Sequence, residues 1–170
     1  MVSAKAQAIL FKETDVRATG RSAAGVRGMK LRPDDSVVAM DVLSNAQMQA
    51  DQVIVVFENG FGKRTPLTNF DTQNRGGMGI KAASVTPKVG SVVYAAVVND
   101  THGELLLISS KGTVLKTPLS SVKSLGRVTQ GVTLMRFGVG DKVASAALLG
   151  KSEEGEILDT PSELAGEEAD

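Results

Sequence analysis

Val53-Ile54-Val55-Val56-Phe57-Glu58-Asn59-Gly60 and Leu105-Leu106-Leu107-Ile108-Ser109-Ser110-Lys111-Gly112 follow one pattern, an apolar run closed by a turn, at an offset of 52 residues. The offset continues without a gap: Thr65-Pro66-Leu67 meets Thr117-Pro118-Leu119, Arg75 meets Arg127, and Gly79-Ile80 meets Gly131-Val132. An earlier copy carries Arg21 and Gly25-Val26, 54 residues before the middle one. It also matches the last copy at an offset of 106, where Met29-Lys30-Leu31 faces Met135-Arg136-Phe137 and Asp35 and Val37 face Asp141 and Val143. Three copies with a period near fifty, each holding several short apolar runs between Gly, Asn-Gly or Lys-Gly turns, predict an all-β array of propeller-like blades of about four strands.

β-Branched content and bounding turns place strands at 53–57, about 61–65, 79–84 and 92–98 in the middle copy, and at 105–109, 113–117, 131–136 and 142–149 in the last. Asn59-Gly60 and Lys111-Gly112 close tight hairpins. The stretches between Thr65 and Arg75 and between Thr117 and Arg127 are polar enough to read as surface loops. The blades are expected at about 1–48, 49–100 and 101–150. In the first copy the counterpart of Val53 falls before residue 1, so that blade is expected to begin near Ala8-Ile9-Leu10-Phe11 without its first strand. The chain then reads as the end of a longer array, with an edge open to self-association or to fraying of the first ten residues.

The 170 residues suffice for a buried core. With no Cys and His102 the only imidazole, disulfides, thiolate zinc and multi-histidine metal sites are ruled out, and any His-dependent triad would have to pass through His102. No apolar stretch approaches the roughly 20 residues that span a bilayer, and no signal peptide is visible, so a soluble cytoplasmic protein is expected. The net charge of zero hides a division. Residues 1–151 carry nineteen basic and eleven acidic side chains, hence +8, while 152–170 carry eight acidic and no basic ones, hence −8. Residues 151–170 hold too little apolar material to offset the entropy of ordering and are expected to be disordered, either as a solubilising terminus or as a polyanion mimic competing for the basic body.

Duplex DNA presents one negative charge per roughly 1.7 Å, so a protein following its backbone needs basic groups repeated along a rigid surface. Lys63, Arg64 and Lys116 precede equivalent threonines, Arg75 and Arg127 end equivalent loops, and Arg17, Arg21 and Arg27 crowd the first copy. Recurrence predicts one basic rim. The competing reading makes the loop arginines scaffold residues that bind carbonyls of their own turns.

Arg17 through Leu31, then Asn59-Gly60-Phe61-Gly62-Lys63-Arg64-Thr65, and Gly126-Arg127-Val128-Thr129-Gln130-Gly131-Val132 resemble blades of the C-terminal domain of DNA gyrase A. The likeness spans roughly residues 5–150, and with the acidic tail its order resembles the last three blades of that domain. It implies a β-pinwheel whose blades exchange strands and whose basic perimeter binds and wraps double-stranded DNA without catalysis of its own. The partners implied are the rest of gyrase A and gyrase B; the cleavage tyrosine and the ATPase would lie outside the chain, and no cofactor is expected. The DNA-contacting set is then Arg17, Arg21, Arg27, Lys63, Arg64, Arg75, Lys116, Lys123, Arg127 and Arg136. Gln73-Asn74-Arg75-Gly76-Gly77-Met78-Gly79 keeps the frame of the family's Gln-Arg-Arg-Gly-Gly-Lys-Gly box but loses two of its three basic side chains, so the complete box is expected upstream.

Other features have plainer readings. Gly25, Gly79 and Gly131 suit a positive dihedral entering a strand, or else close backbone approach to a phosphate. Asp34-Asp35 reads as a turn, echoed by Gly140-Asp141, rather than a metal or acid–base pair. Tyr94 reads as a packed strand aromatic and His102 as an exposed hairpin tip. The alternative to a DNA-binding module is a protein-interaction propeller that contacts other subunits by strand addition.

Overall fold

The computed structural model describes residues 1–99 and 101–151. Its strands are β1 (Val2–Ser3), β2 (Gln7–Ala8), β3 (Val37–Ala39), β4 (Gln52–Phe57), β5 (Phe61–Pro66), β6 (Ile80–Lys81), β7 (Val92–Val98), β8 (His102–Ser109), β9 (Val114–Pro118), β10 (Val132–Thr133) and β11 (Val143–Gly150), with one helix, α1 (Asn45–Ala50), before β4. They form three antiparallel sheets of order β3-β1-β2-β6, β10-β5-β4-β7 and β11-β8-β9.

The third strand of each later repeat leaves its own sheet for the preceding one. β6 pairs with β2 through Gln7↔Lys81 and Ala8↔Ile80, and β10 pairs with β5 through Gly62↔Val132 and Phe61↔Thr133. The sheets therefore straddle the sequence repeats. Backbone bonds extend each exchange on both sides: Ala82 N to Ala6 O (2.9 Å) matches Leu134 N to Gly60 O (2.8 Å), and Gln73 N to Leu10 O matches Leu125 N to Arg64 O, both 2.8 Å.

Two apolar cores lie either side of the middle sheet. Val53, Val55 and Phe57 of β4 join Val2, Ala8, Phe70 and Val92 in one; Ile54 and Val56 join Leu105, Leu107, Val122 and Val143 in the other. β4 is buried on both faces, which is why its sequence is a continuous apolar run instead of an alternation. Tyr94 packs half-buried against the second core, as a strand aromatic should.

Several expectations are corrected. The first blade starts at Val2–Ser3 rather than near Ala8: this short strand pairs with both β2 and β3, and Val2, Ser3 and Ala6–Ile9 are buried rather than frayed. The third strands shrink from six residues to two, because β6 and β10 meet an acceptor only across Ile80–Lys81 and Val132–Thr133. The surface loops carry 3₁₀ turns that drive Leu67, Phe70, Leu119 and Val122 into the cores. α1 is an addition to the expected strands; Ser44 and Gln47 form a capping box that starts it. His102 opens β8 half-buried, its Nδ1 accepting from Asn99 N at 3.3 Å, instead of sitting exposed on a tip. The expected disorder of 151–170 concerns residues that, from 152 onward, lie outside those described.

Candidate nucleic-acid interface

The loop arginines are scaffold residues, but the carbonyls they bind belong to the preceding repeat. Arg75 donates from Nε to Asp15 O (2.9 Å) and from Nη1 to Arg27 O; Arg127 repeats the second contact one blade on, from Nη1 to Lys81 O at 3.0 Å. Arg64 reaches the following repeat, donating from Nε to Val122 O at 2.8 Å. Each clips neighbouring blades together and has donors left over at the surface.

Lys63 does not lie on the rim. It is fully buried, and its ammonium donates to Gly126 O and Arg127 O at 2.7 and 2.6 Å. Burial, with a smaller push from the Arg127 charge, brings its pKa down to about 8. It offers nothing to a phosphate. The repeat itself held the signal: the same position is Ile9 in the first copy and Leu115 in the last, a column that belongs to the interior.

Lys116 is exposed and salt-bridged to Glu104 across β8–β9. Arg17, Arg21, Arg27, Lys123 and Arg136 are exposed, and among the described residues their side chains make no hydrogen bond or salt bridge. Lys30 and Lys81, not singled out from sequence, share this state. Six of the free cations fall into columns of the repeat, Arg17 with Lys123, Arg27 with Lys81, and Lys30 with Arg136, while Arg21 has no free counterpart. The middle copy interrupts two of them with Asp71 and Ser84.

The remaining candidates are structural. Gly79 (φ +71°) and Gly131 (φ +81°) sit where a Cβ would lie 2.3 Å from Ala8 O and 2.5 Å from Gly62 O, so both the dihedral and the approach to the acceptor strand demand glycine. In the degenerate box, Gly76 N donates to Gly28 O and Gly77 O accepts from Lys30 N, each at 2.8 Å, making it a joint between repeats. Asp35 accepts from Ser3 Oγ, Lys5 N and Ser36 N, and Asp141 holds the matching turn. Desolvation works against the Asp141 carboxylate, but hydrogen bonds from Ser109, Ser110 and the Lys142 and Lys111 amides outweigh it and hold its pKa below the usual range. These are turn carboxylates, and among the described residues no cluster of His, Asp or Glu could hold a metal.

The family model for the DNA gyrase C-terminal domain, a beta-propeller, matches residues 1–44, 51–99 and 103–149, one segment per repeat. The chain belongs to this family. DNA gyrase A of Staphylococcus epidermidis is 38% identical over 152 residues, covering 89% of the chain and 17% of that protein. A solved DNA gyrase A C-terminal domain matches at 32% identity with a TM-score of 0.73, covering 86% of the chain and 48% of its own. The C-terminal domain of DNA topoisomerase IV shares the fold, with a TM-score of 0.80 at 21% identity and 45% of its chain covered. This member of the gyrase C-terminal family thus spans under a fifth of the curated relative and about half of either solved domain, and it is a module of the type II topoisomerase kind. Among the described residues no helix is long and apolar enough to cross a membrane.

Proposed function

We propose that the chain binds duplex DNA through its phosphate backbone and bends it, as a non-catalytic module working with the rest of gyrase A and with gyrase B. The observation that carries this is the recurrence, at equivalent blade positions, of exposed cations that are unpaired among the described residues: Arg17 with Lys123, Arg27 with Lys81, and Lys30 with Arg136. Equivalent positions on a repeat give regular spacing, which matches the regular charge of a duplex; nothing beside them is arranged to read base edges. Bending a 20–30 bp site costs on the order of 1–6 kcal/mol, so several such contacts must act together. Strand cleavage and ATP hydrolysis fall to parts of the enzyme outside this chain. The −8 terminus competes with DNA for the +8 body.

The test is duplex affinity across a salt series, for the full chain and for a version ending at Lys151. Neutralising about six phosphates gives a slope of log K against log salt near −5. Tighter binding after removal of the terminus is expected. Absence of binding by either form at low salt would overturn the reading.

A further inference from the structure

Each of the two strand exchanges meets its acceptor at two ends. Residues 72–82 run from Leu10, which Thr72 bridges, to Gln7, which Lys81 faces. Residues 124–134 run from Arg64, which Ser124 bridges, to Phe61, which Thr133 faces. On either acceptor the ends are three residues apart, roughly 10 Å along an extended chain. The backbone is the same at both starting ends: Gln73 N donates to Leu10 O and Leu125 N to Arg64 O, each at 2.8 Å.

The charges at these ends are opposite. Where the second exchange starts, Lys123 stands beside Arg64, whose amide donates to Lys123 O at 2.9 Å, and both side chains reach solvent. Where the first starts, the same positions hold Asp71 and Leu10. Asp71 is exposed, and both salt bridges among the described residues use other carboxylates. No Lys, Arg or His stands at position 100 or at 152–170, so no cation outside the described residues neutralises it. At its far end the first exchange has Lys81, with Lys30 joined to its loop through Gly77 O, whereas the second has Thr133 and Ser84 at those positions. Arg136, three residues beyond Thr133, keeps a cation on that side as well.

We propose that Asp71 steers the duplex by repulsion: it denies phosphates the Leu10 end of the first exchange and confines the DNA there to the Lys81 end, while the second exchange offers cations at both. The inference rests on the DNA binding proposed for the chain. A carboxylate about 7 Å from a phosphate in water lowers affinity by a factor of roughly three, and a lysine in its place raises it by as much. Equivalent corners of the two exchanges thus differ about tenfold in what they offer one phosphate. The acid is not a requirement of the fold, since Lys123 occupies the same turn with the same backbone bonds. A repulsive group inside an otherwise attractive surface selects one route among several, as an added attractive group cannot. On the first exchange the duplex is held along one line; on the second it is free to tilt toward Arg64 and Lys123.

Two substitutions at this position and a positional probe test the proposal. Across a salt series on one duplex, Asp71→Asn is expected to bind roughly threefold tighter than the unaltered chain and Asp71→Lys roughly tenfold, the latter with a salt slope steeper by about 1. The chain has no cysteine, so single cysteines can carry a photoactivatable cross-linker. Placed at the exposed Ser124→Cys it should capture the duplex, and at the equally exposed Thr72→Cys it should capture little. Adding Asp71→Lys to the Thr72→Cys chain should raise its capture toward that of Ser124→Cys. Equal capture at positions 72 and 124 with Asp71 in place, or unchanged affinity and capture in Asp71→Lys, would overturn the proposal. Absence of binding by the unaltered chain at low salt would remove it together with the DNA-binding reading, whereas binding that ignores position 71 removes it alone.

Discussion

Lys63 shows how one residue can belong to the interior while looking like part of a rim. Its neighbours in sequence, Arg64 and Thr65, and the basic Lys116 of the last copy make 63–64 read as a basic pair; the strand's alternation turns Lys63 inward and leaves Arg64 half-exposed. What holds it there is the pair of carbonyls on Gly126 and Arg127, and deleting the ammonium leaves both acceptors unpaired. Lys63→Met should therefore destabilise the fold by about 1–3 kcal/mol in a denaturant titration, with the slope of DNA binding against salt unchanged. The pH dependence follows from its pKa. The folded value, about 8, lies below the ordinary 10.5, so the unfolded chain binds more protons between them and stability rises with pH across that window, by up to about 3 kcal/mol. Below pH 8 the cost of burying the charge is present in full. Urea midpoints at pH 7.5 and 10 should show a gain for the unaltered chain that Lys63→Met lacks; equal pH profiles would remove the buried ammonium as its source. Arg17, Lys123 and Arg136 are the contrary case, exposed and with side chains tied to nothing among the described residues. Replacing all three by Glu should reduce the salt slope by about 3 and weaken binding alike on unrelated duplex sequences, with thermal stability retained.

At the scale of elements, the strands bounded by turns were legible and the exchanged ones were not. β4, β7 and β11 fall within one or two residues of expectation because each is long, apolar and bounded by Gly or polar turns. β6 and β10 are two residues each, too short for any periodicity, and their partners lie at least seventy residues away along the chain. Sliding the sequence on itself reveals which residues are equivalent, but not that one strand of each copy crosses to another sheet. The same blindness hid the preceding-repeat carbonyls that hold Arg75 and Arg127, and with them which cations of each column are left free. β1 was missed for a different reason: at two residues, against six and eight in its counterparts, it is too short to show an apolar run. The glycines test the exchange directly. Gly131→Ala forces a Cβ to 2.5 Å from Gly62 O besides straining φ +81°, so it should cost about 2–4 kcal/mol. Gly25→Ala meets nothing within 4 Å among the described residues at nearly the same dihedral, so it should cost only about 1 kcal/mol. Equal losses would mean that backbone strain alone governs both positions and close approach adds nothing.

For the whole molecule the decisive fact is that the middle sheet supplies one wall of each core. β4 faces Val2 and Ala8 on one side and Leu105 and Leu107 on the other, while the outer sheets each have one covered face. In such an array stability is a sum over neighbours, so the element with two neighbours should open last. Added to this are the clips that cross between blades: Arg75 and Arg127 toward the preceding repeat, Arg64 toward the following one, and the salt bridge of Lys142 with Glu58. All of them converge on the middle repeat or its two junctions. Native-state hydrogen exchange should accordingly find the Ile54 and Val56 amides exchanging only with global unfolding, and the β9 amides, on a strand paired along one side alone, exchanging far faster by local opening. A repeat array of independent blades would instead give three similar plateaus of protection, and that result would refute the middle sheet as the hub. The order matters for the proposed DNA bending as well. A rim can impose curvature on a duplex only if the blades beneath it keep their relative angle under load, and the shared wall of β4 is what couples the cations of the first repeat to those of the last.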